Sequence, residues 1–147
     1  MASTTPAAGS LADTRRNPPR ILAFAVGAVF TLIGLLGFFV TGFDGFASHE
    51  GGESLLGFHV NPLHNVVHLL LGAAGIAMAM RTRTARTYGW LLVAGYGLVF
   101  VFGLFAVSRP DINFLAINNA DNVLHILTVL AGLAIALWPL RDRSTTR

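Results

Sequence analysis

The chain has no cysteine and no lysine. The first absence removes disulfides, thiolate zinc sites, Cys-held iron–sulfur clusters and cysteine nucleophiles together. Any metal would have to be held by His, carboxylate or amide oxygen. Charge of either sign is scarce: 12% of the 147 residues are charged, against 54% hydrophobic, a balance too apolar for an ordinary soluble domain. Period-2 alternation is missing as well, which leaves helices rather than a closed barrel for any membrane crossing. The formal charge of +3 rests on arginines alone, and these gather at the ends of apolar runs instead of covering one face. That pattern speaks for membrane orientation and against nucleic acid as a partner.

What is present is four apolar segments, about 21–43, 62–80, 88–107 and 122–140. Each is near the roughly 20 residues that a helix needs to cross the hydrocarbon layer. The expected fold is therefore all-α, a bundle of four transmembrane helices over residues 18–142. Arg15, Arg16 and Arg20 precede the first segment, Arg81, Arg83 and Arg86 join the second to the third, and Arg141, Arg143 and Arg147 follow the fourth. The other two loops carry Arg109 with Asp44, Glu50, Glu53 and Asp111. The positive-inside rule then predicts both termini in the cytoplasm and a multi-pass protein of the plasma membrane. Residues 1–17, rich in Ala, Ser, Thr and Pro, read as a disordered tail, and 143–147 as a second one. Arg15-Arg16 is followed by Asn17-Pro18-Pro19 where a twin-arginine signal carries an apolar residue, so the first segment reads as an uncleaved anchor.

The chain also repeats itself. With a shift of 57 residues, Asn61 falls on Asn118, His64 on Asp121, Asn65 on Asn122, His68 on His125 and Gly75 on Gly132. The coincidence of polar positions, and not of leucines alone, predicts two tandem helical hairpins of the same orientation, related by a pseudo-twofold axis along the membrane normal. The phrases N-P-L-H-N-x-x-H from Asn61 and N-x-A-D-N-x-L-H from Asn118, each opening an apolar helix, resemble the bacterial four-span membrane family known as domain of unknown function 4383. The resemblance covers roughly Ile21 to Leu140; it implies a fold and a membrane address, and no activity. Val129 departs from the pattern, standing where the first repeat has Gly72.

His64 and His68 are spaced as in the zinc-protease pattern H-E-x-x-H, but Asn65 stands where that pattern has its glutamate base. Spacing of four stacks His64 over His68 on one helical face, and Asp121 over His125 on another. His68 lies twelve residues, about 18 Å, from Met80, and His125 fifteen, about 22 Å, from Leu140. Both thus fall within the outer leaflet of a hydrocarbon layer of about 30 Å. Ionisable residues inside a span face the bundle interior and find partners there. His64, His68, Asp121 and His125 are accordingly expected within mutual reach, with Asn61, Asn65, Asn118 and Asn122 nearby.

Several roles are open to this cluster. In the first it is a hydrogen-bonded clasp between the repeats, with Asp121 accepting from His64 or His68, in a small membrane partner or scaffold protein. In the second the three imidazoles and the carboxylate hold Zn, Cu, Ni or Fe, with His59 or Glu53 of the first loop as a further ligand. In the third His68 and His125 are axial ligands of a haem. In the fourth the group senses protons at the outer surface; the inner halves of the spans carry no acid or histidine to complete a path.

An enzyme is the least supported class. No catalytic residue is assigned, and Ser48-His49 lies in a glycine-rich loop. In that loop Glu53–Val60 reads as a short amphipathic piece on the outer interface. The partners expected are the lipid bilayer and another membrane protein or a second copy, docked through glycine-bearing helix faces.

Overall fold

In the computed structural model residues 17–48 and 53–139 are described. Outside them lie the greater part of both expected tails, the arginines at 15, 16, 141, 143 and 147, and His49, Glu50, Gly51 and Gly52 of the first loop. Four helices carry the described chain: α1 Pro18–Thr41, α2 Pro62–Met78, α3 Thr82–Ala106 and α4 Asn119–Leu137. Two short strands, β1 Glu53–Leu55 and β2 Phe58–Val60, form an antiparallel hairpin ahead of α2, and a single 3-10 turn, Pro110–Ile112, precedes α4.

Each boundary has a local cause. Pro18 and Pro19 occupy the first positions of α1, where the missing N–H groups have no helical partner to lose. Pro62 does the same for α2, capped by Asn61, whose side chain accepts from the His64 N–H at 2.9 Å. α4 opens with a reciprocal cap between Asn118 and Asp121, and gives out at Trp138, just before Pro139.

Three of the helices, α1, α3 and α4, at 24, 25 and 19 residues, are long and apolar enough to cross a membrane. α2 has 17 residues, about 25 Å, and is two residues shorter than its expected span. The helix stops because its last carbonyls are taken by side chains: Thr84 Oγ1 donates to Met78 O at 2.6 Å, and Arg20 Nε to Ala79 O at 2.9 Å. α3 starts six residues before its expected span, because the arginine-rich Thr82–Thr87 segment is helical; Arg is a strong helix former and keeps its charge at the end of the apolar run. Glu53–Val60 is a β-hairpin, turned by Leu56 and Gly57 at φ of 54° and 89°, the left-handed conformation that two-residue hairpin turns need.

α1 packs along α2 and α3 along α4, with sparser contact between the two hairpins. The close approach depends on glycine. A Cβ on Gly27 would lie 2.7 Å from Ile76 N and 2.8 Å from Gly72 O, and one on Gly89 would lie 2.6 Å from Gly132 O. The surface is inverted relative to a soluble protein. Phe39, Leu70, Leu98, Leu104 and Leu130 are exposed, whereas Asn61, His64, Asn65, His68, Asp121, Asn122 and His125 are buried. Such a surface suits a lipid environment.

The end of the molecule bearing the arginines is tied by a matched pair of bonds: Arg20 Nε donates to Ala79 O, and Arg86 Nε to Ala136 O at 2.7 Å. Each guanidinium sits at the carbonyl end of the neighbouring helix, where a cation is also favoured by the helix dipole. Arg86→Met keeps the apolar stem and removes the donor. It is expected to lower stability by about 1–2 kcal/mol, read as an earlier midpoint in detergent unfolding.

Candidate functional site

The polar residues lie at the opposite end from these arginines, where α2 and α4 begin. Asn61 does more than cap α2: its Nδ2 donates to Phe114 O at 2.8 Å and to Ser48 O at 3.3 Å. His64, in the first turn, sets its Nδ1 3.0 Å from Leu115 O. Phe114 and Leu115 belong to the connection between α3 and α4, so both residues of the first hairpin grip the loop of the second. The reverse grip exists too. Asn118 Nδ2 donates to Gly57 O, at the tip of the β-hairpin, at 2.9 Å. The acceptors are all backbone carbonyls.

Asn65 and Asn122 occupy equivalent places one turn lower. Each amide fills the space where a Cβ would stand on a facing glycine, Gly37 for Asn65 and Gly103 for Asn122. Asn65 Nδ2 also donates to Thr41 Oγ1 at 3.0 Å.

Deeper still is a layer of rings drawn from all four helices. Phe30 of α1 stacks on His68 of α2, centroids 5.2 Å apart and planes 10° from parallel. Tyr96 of α3 lies 5.3 Å from His125 of α4 and 5.4 Å from Phe30. His64 meets His68 edge-on at 4.7 Å and lies 6.5 Å from His125. The structure thus brings three of the four expected site residues together.

Asp121 is turned elsewhere. Its Oδ2 accepts from the Asn118 N–H at 2.8 Å, completing the cap of α4. Among the described residues the only ion pair is Arg109–Asp111, so the expected bond from His64 or His68 to Asp121 is not formed. The carboxylate stands at the third helical position and bonds back to its own cap, and its long-range neighbour is His59 of β2 rather than His64 or His68. Among the described residues no three His, Asp or Glu side chains are grouped so as to hold a metal ion. Glu53 is exposed and His59 half-buried in β2.

A cavity of about 140 Å³ adjoins the ring layer between α2 and α3, with His64, His68, Tyr96 and His125 along its inner wall. That volume has room for one six-membered ring and none for a porphyrin, and Phe30 and Tyr96 occupy the space beside His68 and His125 that axial haem ligation would need. Sequence reasoning missed Phe30, Tyr96 and the carbonyls of Phe114 and Leu115. Carbonyl acceptors have no sequence signature. The rings had one: Arg20, Phe30 and Gly37 map onto Arg86, Tyr96 and Gly103 with a common shift of 66 residues.

The family described as domain of unknown function (DUF4383) matches residues 20–138. No curated protein and no solved structure matches the chain.

Proposed function

The chain belongs to this family, and from that footing we propose that it is a four-span protein of the plasma membrane, built from two tandem hairpins with both termini in the cytoplasm, that serves as a small partner or scaffold module. Its outward polar residues are a clasp that holds one hairpin to the other. The observation that carries this reading is the reciprocal grip, Asn61 and His64 on the second hairpin's loop and Asn118 on the first's. A module whose work is to present helix faces needs its hairpins fixed relative to one another. Bonds across the pseudo-axis do this, whereas the arginine ties at the other end each join the two helices of one hairpin.

Duplication is supported by equivalent contacts as well as by equivalent letters. The ties of Arg20 and Arg86, the seats of Asn65 and Asn122 on glycine, and the Phe30–His68 and Tyr96–His125 pairs recur in both halves. The second helices match at a shift of 57 and the first helices at 66. The difference is taken up by the longer first loop, which holds the β-hairpin. The orientation rests on the arginine clusters at one end. A cysteine-free chain allows it to be read directly: single cysteines at Asp44 and Asp111 are expected to react with an impermeant maleimide on intact cells, and one at Arg83 only after lysis.

The competing reading is a transition metal held by His64, His68 and His125, with Asp121 serving the cap instead. It would require the three rings to turn their Nε2 atoms onto one point. Elemental analysis of detergent-purified protein, compared with a His68→Ala/His125→Ala variant, separates the two. The clasp reading expects no stoichiometric metal in either sample and a larger loss of stability in Asn61→Ala than in the double variant. Metal present in the parent and lost in the variant would overturn it.

A further inference from the structure

A groove near the start of α3 has no part in the clasp. It has a volume of about 460 Å³ and is lined by Thr82, Arg83, Arg86, Thr87 and Trp90. Their spacing sets Arg83, Arg86, Thr87 and Trp90 in one stripe along the helix. The wall is mainly carbon, as arginine stems and an indole make it.

The charge on that stripe is uncompensated. Arg83 is exposed, and Arg86 is half-buried and spends its Nε–H on Ala136 O. Among the described residues neither guanidinium has an ion pair. The described carboxylates, Asp44, Glu53, Asp111 and Asp121, stand in the connections and helix start at the opposite end. α3 carries no acid in its first turn either.

The first hairpin holds the same groove in a less polar form. At the shift of 66, Arg20, Ile21 and Phe24 correspond to Arg86, Thr87 and Trp90. Those three line a groove of about 480 Å³ that is closed by Ile76 and Met80. Where the copies differ, the second is the richer in donors: a guanidinium at Arg83 for the amide of Asn17, a hydroxyl at Thr87 for the alkyl of Ile21, an indole at Trp90 for the phenyl of Phe24. A carbon wall under unpaired cations suits a ligand with an apolar body and an anionic head.

We propose that the groove at the start of α3 seats an anionic phospholipid, its phosphate on Arg83 and Arg86 and the top of its chains against Trp90. Anionic headgroups are drawn to arginines beside a span, and a zwitterionic lipid brings its own ammonium group to the same place. The inference rests on the four-span reading and not on the clasp.

The chain has two tryptophans, Trp90 and Trp138, so Trp138→Phe leaves the indole of the groove as the sole reporter. The full-length protein with this change is reconstituted in vesicles of phosphatidylcholine and phosphatidylglycerol, with bromine on the chains of one lipid at a time. Bromine quenches an indole on contact, so the signal tells which lipid stands against Trp90, and a free phosphate gives none. Phosphatidylglycerol is expected to be preferred about tenfold, within the worth of two arginines at an anionic surface. Arg83→Gln, at an exposed side chain with no ion pair to lose, is expected to cut the preference to about twofold. Arg81→Gln, exposed at the same end but outside the groove, is expected to keep most of it. If Trp138→Phe does not fold, native mass spectrometry of the parent and the two arginine variants, released from mixed micelles of both lipids, reads the same preference from the lipid retained. No preference between the lipids, or equal losses in Arg81→Gln and Arg83→Gln, would overturn the proposal and leave the four-span reading standing. No quenching by either lipid would overturn both. None of these results bears on the clasp, which stands or falls on the stability of the Asn61 variants.

Discussion

Replacing Asn61 with alanine is expected to lower the free energy of unfolding by about 2–4 kcal/mol, a large share of the stability of a small bundle. Three bonds go at once. The His64 N–H loses its cap acceptor, and the Phe114 and Ser48 carbonyls lose a donor. Asn61 is 3% exposed, so water does not readily replace what is removed, and the orphaned groups bear their desolvation cost. A second substitution divides the total. Asn61→Ser keeps an oxygen for the cap and forfeits the reach to Phe114, so it is expected to recover about 1 kcal/mol. Asn118→Ala should cost less, about 1–2 kcal/mol, because Asn118 is half-buried and its bond to Gly57 O lies at the exposed hairpin tip. Unfolding midpoints in mixed detergent micelles read all three. An Asn61→Ala variant as stable as the parent would remove the clasp, since no other side chain bridges the loops from that position.

The four helices were legible in the sequence because long apolar runs follow a coarse code. Apolar length marks the helices, arginine marks their ends, and a polar residue within a span has to face inward. The seven Asn, His and Asp positions from Asn61 to His125 that the repeat singled out for the interior are indeed buried, with Asn118 at the rim. The fate of Asp121 was not legible in the same way. His64 and Asp121 occupy the same place after the cap, and burial alone does not say whether a side chain there turns into the bundle or back to the cap. Asn118-x-x-Asp121 has the form of a capping box, and that local rule, with His59 of β2 alongside, took the carboxylate away from His64 and His68. The ring layer was hidden for another reason. One shift aligns the second helices, but the β-hairpin lengthens the first loop, so the first helices align only at a different shift. Phe30 and Tyr96 therefore stayed out of register in a comparison made at 57. The start of α3 was the least legible, because the arginines that close an apolar run can still be helical, as Arg83 and Arg86 are.

Gly27→Ala is expected to be among the most damaging single-methyl changes at the described glycines, at about 3 kcal/mol or more. The added carbon would lie 2.7 Å from Ile76 N, 2.8 Å from Gly72 O and 2.9 Å from Gly75 C. All three are backbone atoms of the facing helix, so no side chain can turn aside, and α1 and α2 must separate along their main contact. In lipid there is little hydrophobic drive to hold helices together once close packing is lost. The three atoms nearest a methyl at Gly37 all belong to the Asn65 amide; that side chain is expected to rotate by giving up its bond to Thr41, at a cost of about 1–2 kcal/mol. Gly97 meets nothing within 4 Å, so Gly97→Ala should stay within about 0.5 kcal/mol of the parent, helped by the better helix propensity of alanine. Gly89 faces Gly132 O at 2.6 Å and Ala136 N at 2.8 Å from the same kind of added carbon. Gly89→Ala should therefore match Gly27→Ala in size if the two hairpins are copies of one packing unit. Near-equal losses at Gly27 and Gly89, with Gly97 unaffected, would mean that each hairpin is stabilised by the same backbone contact. A loss at Gly27 alone would mean that the second hairpin is held by its side chains, and that the repeat has kept its outline without its mechanics.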